Sequence, residues 1–293
     1  MQTKTDIRRL LADAGLRPNK KLGQHFLIDG NLMRKLVTSA ELRPDDVALE
    51  VGCGTGSLTQ ELAAGAGSVI AVEVDRGLAA VAAAELATLP NVSVLHRDVL
   101  AAKHRIDPVV LDSLAVARHR LGGRAVLVAN LPYQVASPLM INLLIGPVEL
   151  SRMCFTVQKE VADRLFAQPG GAEYGPLSII VRTLSEAERI TNVPPQAFWP
   201  RPRVESTMVR LDPSPDRRRE VGQPDHFAFV VRTCFLHRRK TLAHNLTAAY
   251  GADVTMSALA EGAIPPQTRP EELPPPAWVQ LAKRLRTAGL HTP

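Results

Sequence analysis

Asn130-Leu131-Pro132-Tyr133 closes an apolar run, Ala125-Val126-Leu127-Val128-Ala129. That run reads as a buried strand. An amide, a turn proline and a tyrosine at the carboxyl end of a strand suit an amino group on an aromatic ring. The Asn130 side-chain oxygen can accept a hydrogen bond from an exocyclic amine. A backbone carbonyl at the Leu131-Pro132 turn can accept a second. Tyr133 can stack on the flat face of a base. Together they describe a pocket for adenine N6. The same four residues also fit an ordinary Asn-x-Pro turn, so the rest of the chain must decide.

A second constellation lies upstream. Glu50-Val51-Gly52-Cys53-Gly54-Thr55-Gly56 follows one apolar run and precedes a helical pattern. Glycines at 52 and 54 let a ligand press against the backbone and allow positive φ. A dinucleotide fingerprint would need its third glycine one residue later. The Gly-x-Gly-x-Gly spacing is nearer the loop of S-adenosylmethionine (SAM) enzymes, where no pyrophosphate is cradled. Glu73 ends the next apolar run, where its carboxylate can accept bidentate hydrogen bonds from two ribose hydroxyls. Asp98 follows a third run and can accept from an adenine amino group. Cys53 reads as a small packed residue with no base to activate it.

The elements needed to position these groups alternate in kind. Strands are expected at 47–51, 69–73, 92–95, 125–129 and 153–157, with helices at about 57–64, 76–88, 138–145 and 158–167. Short helices at 6–16 and 30–41 precede them. Such alternation predicts an α/β fold, an open Rossmann-like sheet with helices on both faces. Residues 101–124 break the rhythm and read as a variable insertion. Residues 212–225 are proline-rich and polar, and read as a linker. Helical patterns at 226–236, 238–249, about 255–261 and 276–288 follow. The expected organisation is a catalytic domain over 1–211, the linker, and a small basic helical domain over 226–293.

Composition sets the outer bounds. Hydrophobic residues make up 45% of the 293-residue chain, enough for a packed core. No stretch approaches the apolar length of a membrane span, and residues 1–6 show no signal-peptide core. Three scattered cysteines, Cys53, Cys154 and Cys234, match neither a disulfide framework nor a zinc site. The expectation is a cytoplasmic protein with no metal, no membrane contact and a monomeric state. Net charge is +6 and the pI about 9.5. Basic groups gather at Lys20-Lys21, Arg201 and Arg203, Arg217-Arg218-Arg219, His237-Arg238-Arg239-Lys240 and Lys283-Arg284 with Arg286. Several basic runs flanking an adenine-shaped site read as a nucleic-acid footprint.

With these residues in view the sequence resembles the ribosomal RNA adenine N6,N6-dimethyltransferases, above all the bacterial small-subunit (16S) family behind kasugamycin sensitivity. The resemblance runs from about Lys20 to Leu246, and weakly to Leu281. It is carried by Lys21-Leu-Gly-Gln-His-Phe-Leu27, Leu49 to Thr59, Val72-Glu-Val-Asp75, Asn130 to Tyr133, Gln158 to Val161, Tyr174 to Ser178, Phe198 to Ser206 and Arg238 to Leu242. It implies SAM contacts at His25, Leu27, Gly52, Gly54, Glu73, Asp98 and Asn130. It implies that Asn130, Leu131, Pro132 and Tyr133 hold the target adenine, that Phe198 stacks on it, and that the helical domain docks on 16S rRNA within the small subunit. His25 stands where many members have asparagine, and Cys53 where proline is usual. For Trp199 the expectation is packing. Three other readings stay open: a large-subunit (23S) adenine methyltransferase of the macrolide-resistance kind, a non-enzymatic RNA-binding relative, and a DNA adenine methyltransferase.

Overall fold

The structure is a computed structural model and describes residues 1–19 and 22–287. Lys20 and Lys21 lie outside the described residues. The chain forms two compact units. The first comprises Met1–Leu143, Pro147–Ala162 and Glu188–Pro213; the second comprises Leu144–Gly146, Asp163–Ala187 and the chain from Ser214 onward.

The first unit opens with α1 (Lys4–Asp13), a short β1 (Phe26–Leu27) and α2 (Gly30–Ala40). Alternation then begins, through β2 (Val47–Val51), α3 (Ser57–Gly65), β3 (Ser68–Glu73), α4 (Arg76–Glu85) and β4 (Val92–His96). A hairpin, β5 (Leu100–Ala102) and β6 (Arg105–Ile106), leads into α5 (Pro108–Leu121). Next come β7 (Ala125–Asn130), α6 (Ala136–Ile145), β8 (Leu150–Gln158) and α7 (Lys159–Phe166). After α8 (Pro176–Leu184), the strands β9 (Ser185–Val193), β10 (Phe198–Trp199) and β11 (Ser206–Pro213) complete the sheets.

The main sheet has seven strands in the order β4-β3-β2-β7-β8-β11-β9. The first five are parallel, and β11 runs antiparallel to β8. Strands β2, β3 and most of β7 are fully buried. That is why they read as continuous apolar runs rather than alternating ones. After β2 the chain winds outward through β3 and β4, then returns to place β7 on the other side of β2. The carboxyl ends of β2 and β7 therefore flank the point where strand order reverses, where open α/β sheets bind ligands. At the opposite end, Asp46 is fully buried and accepts from Arg124 Nε at 3.0 Å and Nη2 at 2.6 Å. Burial alone would raise its carboxyl, but these bonds and the Arg43 and Arg124 amides hold it below the usual range.

Residues 101–124 are no insertion. Asp107 caps α5 by accepting from the Val109 amide at 2.9 Å, and Pro108 occupies the first turn. Val110, Leu114 and Ala117 face inward, so α5 is the crossover that carries the chain from β4 to β7. Its weak amphipathic pattern hid that role.

The second unit takes in α9 (Pro215–Val221), α10 (Pro224–Cys234), α11 (Leu242–Tyr250), α12 (Ala252–Glu261) and α13 (Pro275–Thr287). Trp278, Tyr174, Phe227 and Leu281 fill its core. Two expectations are corrected here. Residues 212–225 are not a linker: Ser214 accepts from the Arg217 amide and caps α9, so a polar proline-bearing stretch is a helix start. Nor do the units divide at residue 211, since α8 packs with the late helices α10 and α13. The Tyr174 hydroxyl adds a 2.9 Å bond to the Leu273 carbonyl. Among the described residues, no helix is long and apolar enough to cross a membrane.

The basic runs also divide. Arg217 donates to the Ser185 carbonyl at 2.7 Å, and Arg218 to the carbonyls of Leu144, Ile145 and Gly146. Arg218 thereby satisfies acceptors at the end of α6. These two arginines hold backbone, which takes Arg217 and Arg218 out of the footprint expected at 217–219; Arg219 is exposed and pairs with Asp216. Arg201, Arg203, Arg239 and Lys240 are exposed.

Candidate active site

One cavity of about 220 Å³ lies at the carboxyl ends of β2, β3, β4 and β7. Its wall includes His25, Leu27, Gly52, Gly54, Glu73, Asp98 and the whole of Asn130 to Tyr133. Every residue expected to meet cofactor or base is there except Phe198.

The glycine loop shows why small residues are required. Gly52 and Gly54 have φ of 78° and 59°. A Cβ on Gly52 would stand 2.9 Å from Pro132 Cγ, and one on Gly54 2.9 Å from Phe26 Cε1. The loop is thus pressed between the Pro132 turn and the Phe26 ring, and its bare backbone forms part of the wall. Glu73 organises the same loop. Its carboxylate accepts from the Gly54 amide at 2.9 Å and the Asp75 amide at 3.0 Å. Each oxygen keeps a further lone pair. Burial raises the Glu73 carboxyl, with the two backbone bonds working the other way. Asp98 is exposed at the rim, and one of its oxygens takes the Leu100 amide at 2.9 Å.

Asn130 is held from two sides. Its Nδ2 donates to the His25 carbonyl at 2.8 Å, and its Oδ1 accepts from the Thr156 hydroxyl. A carbonyl can only accept, so the amide is fixed in one orientation. Its oxygen retains one lone pair for a ligand. The Pro132 carbonyl takes the Val135 amide at 3.2 Å. The Leu131 carbonyl remains as the other acceptor of the turn. Tyr133 Oη and Ser206 Oγ share a 3.1 Å hydrogen bond, and burial pushes the phenol up. The Tyr133 ring lies 5.8 Å from that of His25, centroid to centroid. His25 Nδ1 is 2.6 Å from the Pro200 carbonyl, so Nδ1 carries the hydrogen and, in the neutral ring, Nε2 is the acceptor.

Phe198 is corrected by burial. It is 3% exposed, sits in the core with Leu27, Met33 and Met208, and does not reach the cavity. Pairing of β1 with β10 places Leu27 opposite Phe198 and Phe26 opposite Trp199, which sends Phe198 inward. Trp199 packs as expected, stacked on Phe26 at 6.2 Å.

Several wall residues carried no sequence signal. Ile7 reaches the cavity from α1, and Val74 and Val99 follow the acidic strand ends as apolar wall on either side. Glu50 is 2% exposed and accepts from the Thr59 hydroxyl at 2.6 Å. Burial pushes its carboxyl up to about 8, the Thr59 bond pulls it back, and Glu73 adds to the rise. Glu50 is therefore largely protonated at neutral pH. Its folded pKa lies above the unfolded value of about 4.3. Its contribution is complete below that value and is lost as pH rises toward 8. In the ligand-free protein, Glu50→Gln keeps the Thr59 bond and removes the ionisation. The variant is expected to melt a few degrees above wild type at pH 8.5 and level with it at pH 4. A gap that does not widen with pH sinks this assignment. Cys53 is buried beside these carboxyls. Burial first, then Glu50 and Glu73, push its thiol well above the ordinary range, so it is packing and not a nucleophile. Among the described residues, no cluster of histidine, cysteine or acidic groups could hold a metal ion.

An extended cavity with buried and rim carboxylates, bare loop backbone and two apolar walls fits SAM. The carboxylates suit its hydroxyls and its positive charge, and the walls suit its adenine ring. The comparisons agree. Residues 15–287 match the family model described as ribosomal RNA adenine dimethylase. The chain is 38% identical over 278 residues to a protein of Moorella thermoacetica named ribosomal RNA small subunit methyltransferase A, covering 94% of this chain and 96% of the relative. It is 41% identical over 240 residues to the protein of the same name from Geobacillus kaustophilus, covering 82% and 80%. Among solved structures, a dimethyladenosine transferase from Plasmodium falciparum superposes with TM-score 0.69 at 23% identity, covering 91% of this chain and 99% of that one. The 23S rRNA methyltransferase ErmE gives TM-score 0.59 at 26% identity, covering 89% and 99%. From the match across nearly its whole length, and from a cavity built of the matching motifs, the chain belongs to the ribosomal RNA adenine dimethylase family of SAM-dependent methyltransferases.

Proposed function

We propose that this enzyme dimethylates N6 of two adjacent adenosines in a hairpin near the 3′ end of 16S rRNA. It acts as a monomer, in the cytoplasm, on the small subunit during its assembly. The observation that carries this reading is the Asn130 turn, whose amide is fixed by Thr156 and His25 beside the glycine loop. The small-subunit context rests on the relatives from Moorella and Geobacillus, which carry that name at 38% and 41% identity.

Bound SAM supplies an electrophilic methyl group on a sulfonium, whose charge the transfer neutralises. The chain's residues do the rest. Glu73 would hold the ribose hydroxyls through its spare lone pairs, and Asp98 would hold the adenine amino group, with Val74 and Val99 as apolar wall. Gly52 and Gly54 offer backbone at close approach, with His25 and Leu27 closing the wall. On the substrate side, Asn130 Oδ1 and the Leu131 carbonyl accept hydrogen bonds from the two N6 hydrogens, and the nitrogen that gains the methyl group releases one of those hydrogens to water as a proton. Two acceptors pull the amine toward a tetrahedral nitrogen and free its lone pair from the ring. Tyr133 stacks on the base, partly offsetting the few kcal/mol of unstacking. Alignment at near-attack distance supplies roughly 7–11 kcal/mol. The helical unit meets RNA through the exposed Arg239 and Lys240.

The test uses small-subunit particles from a strain lacking this gene, incubated with purified protein and SAM. Nucleoside mass spectrometry after digestion is expected to show dimethyladenosine at two adjacent 3′-terminal positions. Methylation confined to large-subunit RNA would overturn the substrate and move the enzyme to the 23S class.

A further inference from the structure

The catalytic unit carries a basic hairpin at the mouth of the cavity that no motif marks. Arg97, Asp98 and Val99 line the cavity, and β5 begins at the next residue. The base of the hairpin is built in. Val99 and Ile106 are each 4% exposed, and the Asp107 amide donates to the Val99 carbonyl at 2.9 Å. Farther out, Asn142, itself buried on α6, donates to the Lys103 carbonyl at 3.2 Å. The tip is therefore fastened to α6 rather than left as a loose loop. Its exposed face consists of Ala101, Ala102, Lys103, His104 and Arg105. No acidic residue lies between Val99 and Ile106. The nearest one on the far side, Asp107, is occupied: it caps α5 and stands 3.6 Å from Arg97.

We infer that this hairpin is a phosphate-tracking arm that grips the RNA strand beside the flipped adenosine. The inference rests on the proposed function above. Two exposed alanines next to Lys103 and Arg105 let a sugar-phosphate backbone lie close, and the long cations reach its oxygens. The three residue steps from Val99 to Ala102, at about 3.3 Å each, span about 10 Å. That is the length of about three stacked nucleotides at about 3.4 Å each. Arg97, half exposed at the rim, continues the line inward. The contacts go to phosphate, so they position the strand and read no bases.

The experiment compares wild type, K103A/R105A and R120Q on unmethylated small-subunit particles. Arg120 is likewise an exposed arginine, near the far end of α5 and roughly 20 Å along the helix from the hairpin. Particle binding is measured from low to high salt, with methylation kinetics and SAM binding alongside. The double variant is expected to need roughly tenfold more particle for half-saturation and to lose about 2 from the salt slope, one for each phosphate contact. Its kcat and SAM affinity stay at the wild-type level, and R120Q matches wild type throughout. A double variant with unchanged salt slope overturns the arm, whatever the methylation result. A wild type that binds particles but does not methylate them overturns the proposed function alone, because the arm is read from binding. A wild type that binds no particles overturns both.

Discussion

Replacing Asn130 with alanine is expected to lower single-turnover methyl transfer by roughly 10²–10³-fold, the usual consequence of removing one positioned hydrogen-bond partner of the reacting group. The substitution removes the acceptor proposed to face the N6 amine. It also removes the tie from β7 to the segment before β1, since Asn130 Nδ2 holds the His25 carbonyl. SAM affinity should change much less, because Glu73, Asp98 and the glycine loop, the other proposed SAM contacts, are untouched. Rapid-quench transfer at saturating SAM and particle, with SAM binding by calorimetry, separates the two effects. Transfer within threefold of wild type would remove Asn130 from the mechanism. Loss of SAM affinity in equal measure would make it a cofactor ligand and no more. Asn130→Asp is informative beside it. A carboxylate cannot donate to the His25 carbonyl, so the amide's anchoring is lost while an acceptor stays.

Gly52→Ala should act through geometry alone. A φ of 78° disfavours any residue with a Cβ, at about 1–2 kcal/mol. The new carbon would also meet Pro132 Cγ at 2.9 Å, and overpacking of this kind costs about 1–3 kcal/mol. The loop cannot swing aside freely, because the Gly52 amide donates to the Val72 carbonyl at 2.8 Å. The strain therefore passes to the Pro132 ring and shifts the substrate turn. SAM affinity is expected to fall at least tenfold, with kcat falling too. Gly15→Ala is the control. It has a similar φ of 66° but nothing within 4 Å of the added carbon. It should cost a little stability and leave SAM binding within twofold. If both variants bind SAM equally well, the loop is looser than its contacts indicate and the coupling between cofactor loop and substrate turn is wrong.

Much of this molecule was legible in local sequence. Buried parallel strands announce themselves as short apolar runs, so β2, β3, β7 and the core of β8 could be placed without coordinates. The residues that line the cavity stood at the ends of those runs, because the ends of parallel strands are where open α/β sheets leave room for a ligand. Gly52, Gly54, Glu73, Asp98 and Asn130 to Tyr133 were therefore identifiable from spacing, and the family resemblance added His25 and Leu27. The rest depended on partners far apart in the chain. Thr156 and the His25 carbonyl orient the Asn130 amide across 26 and 105 residues, and no periodicity encodes either contact. Phe198 looked like a stacking ring because prolines and arginines flank it, yet its register opposite Leu27 turns it into the core. Arg217 and Arg218 looked like phosphate ligands, yet backbone carbonyls claim them. Residues 212–225 looked like a linker, yet a serine cap and two prolines start helices there. Composition and spacing determined which chemical groups the chain owns and which strand ends carry them. Only the tertiary structure decided which of those groups face the cavity, because burial and hydrogen-bond partnership are set by packing between segments that the sequence keeps apart.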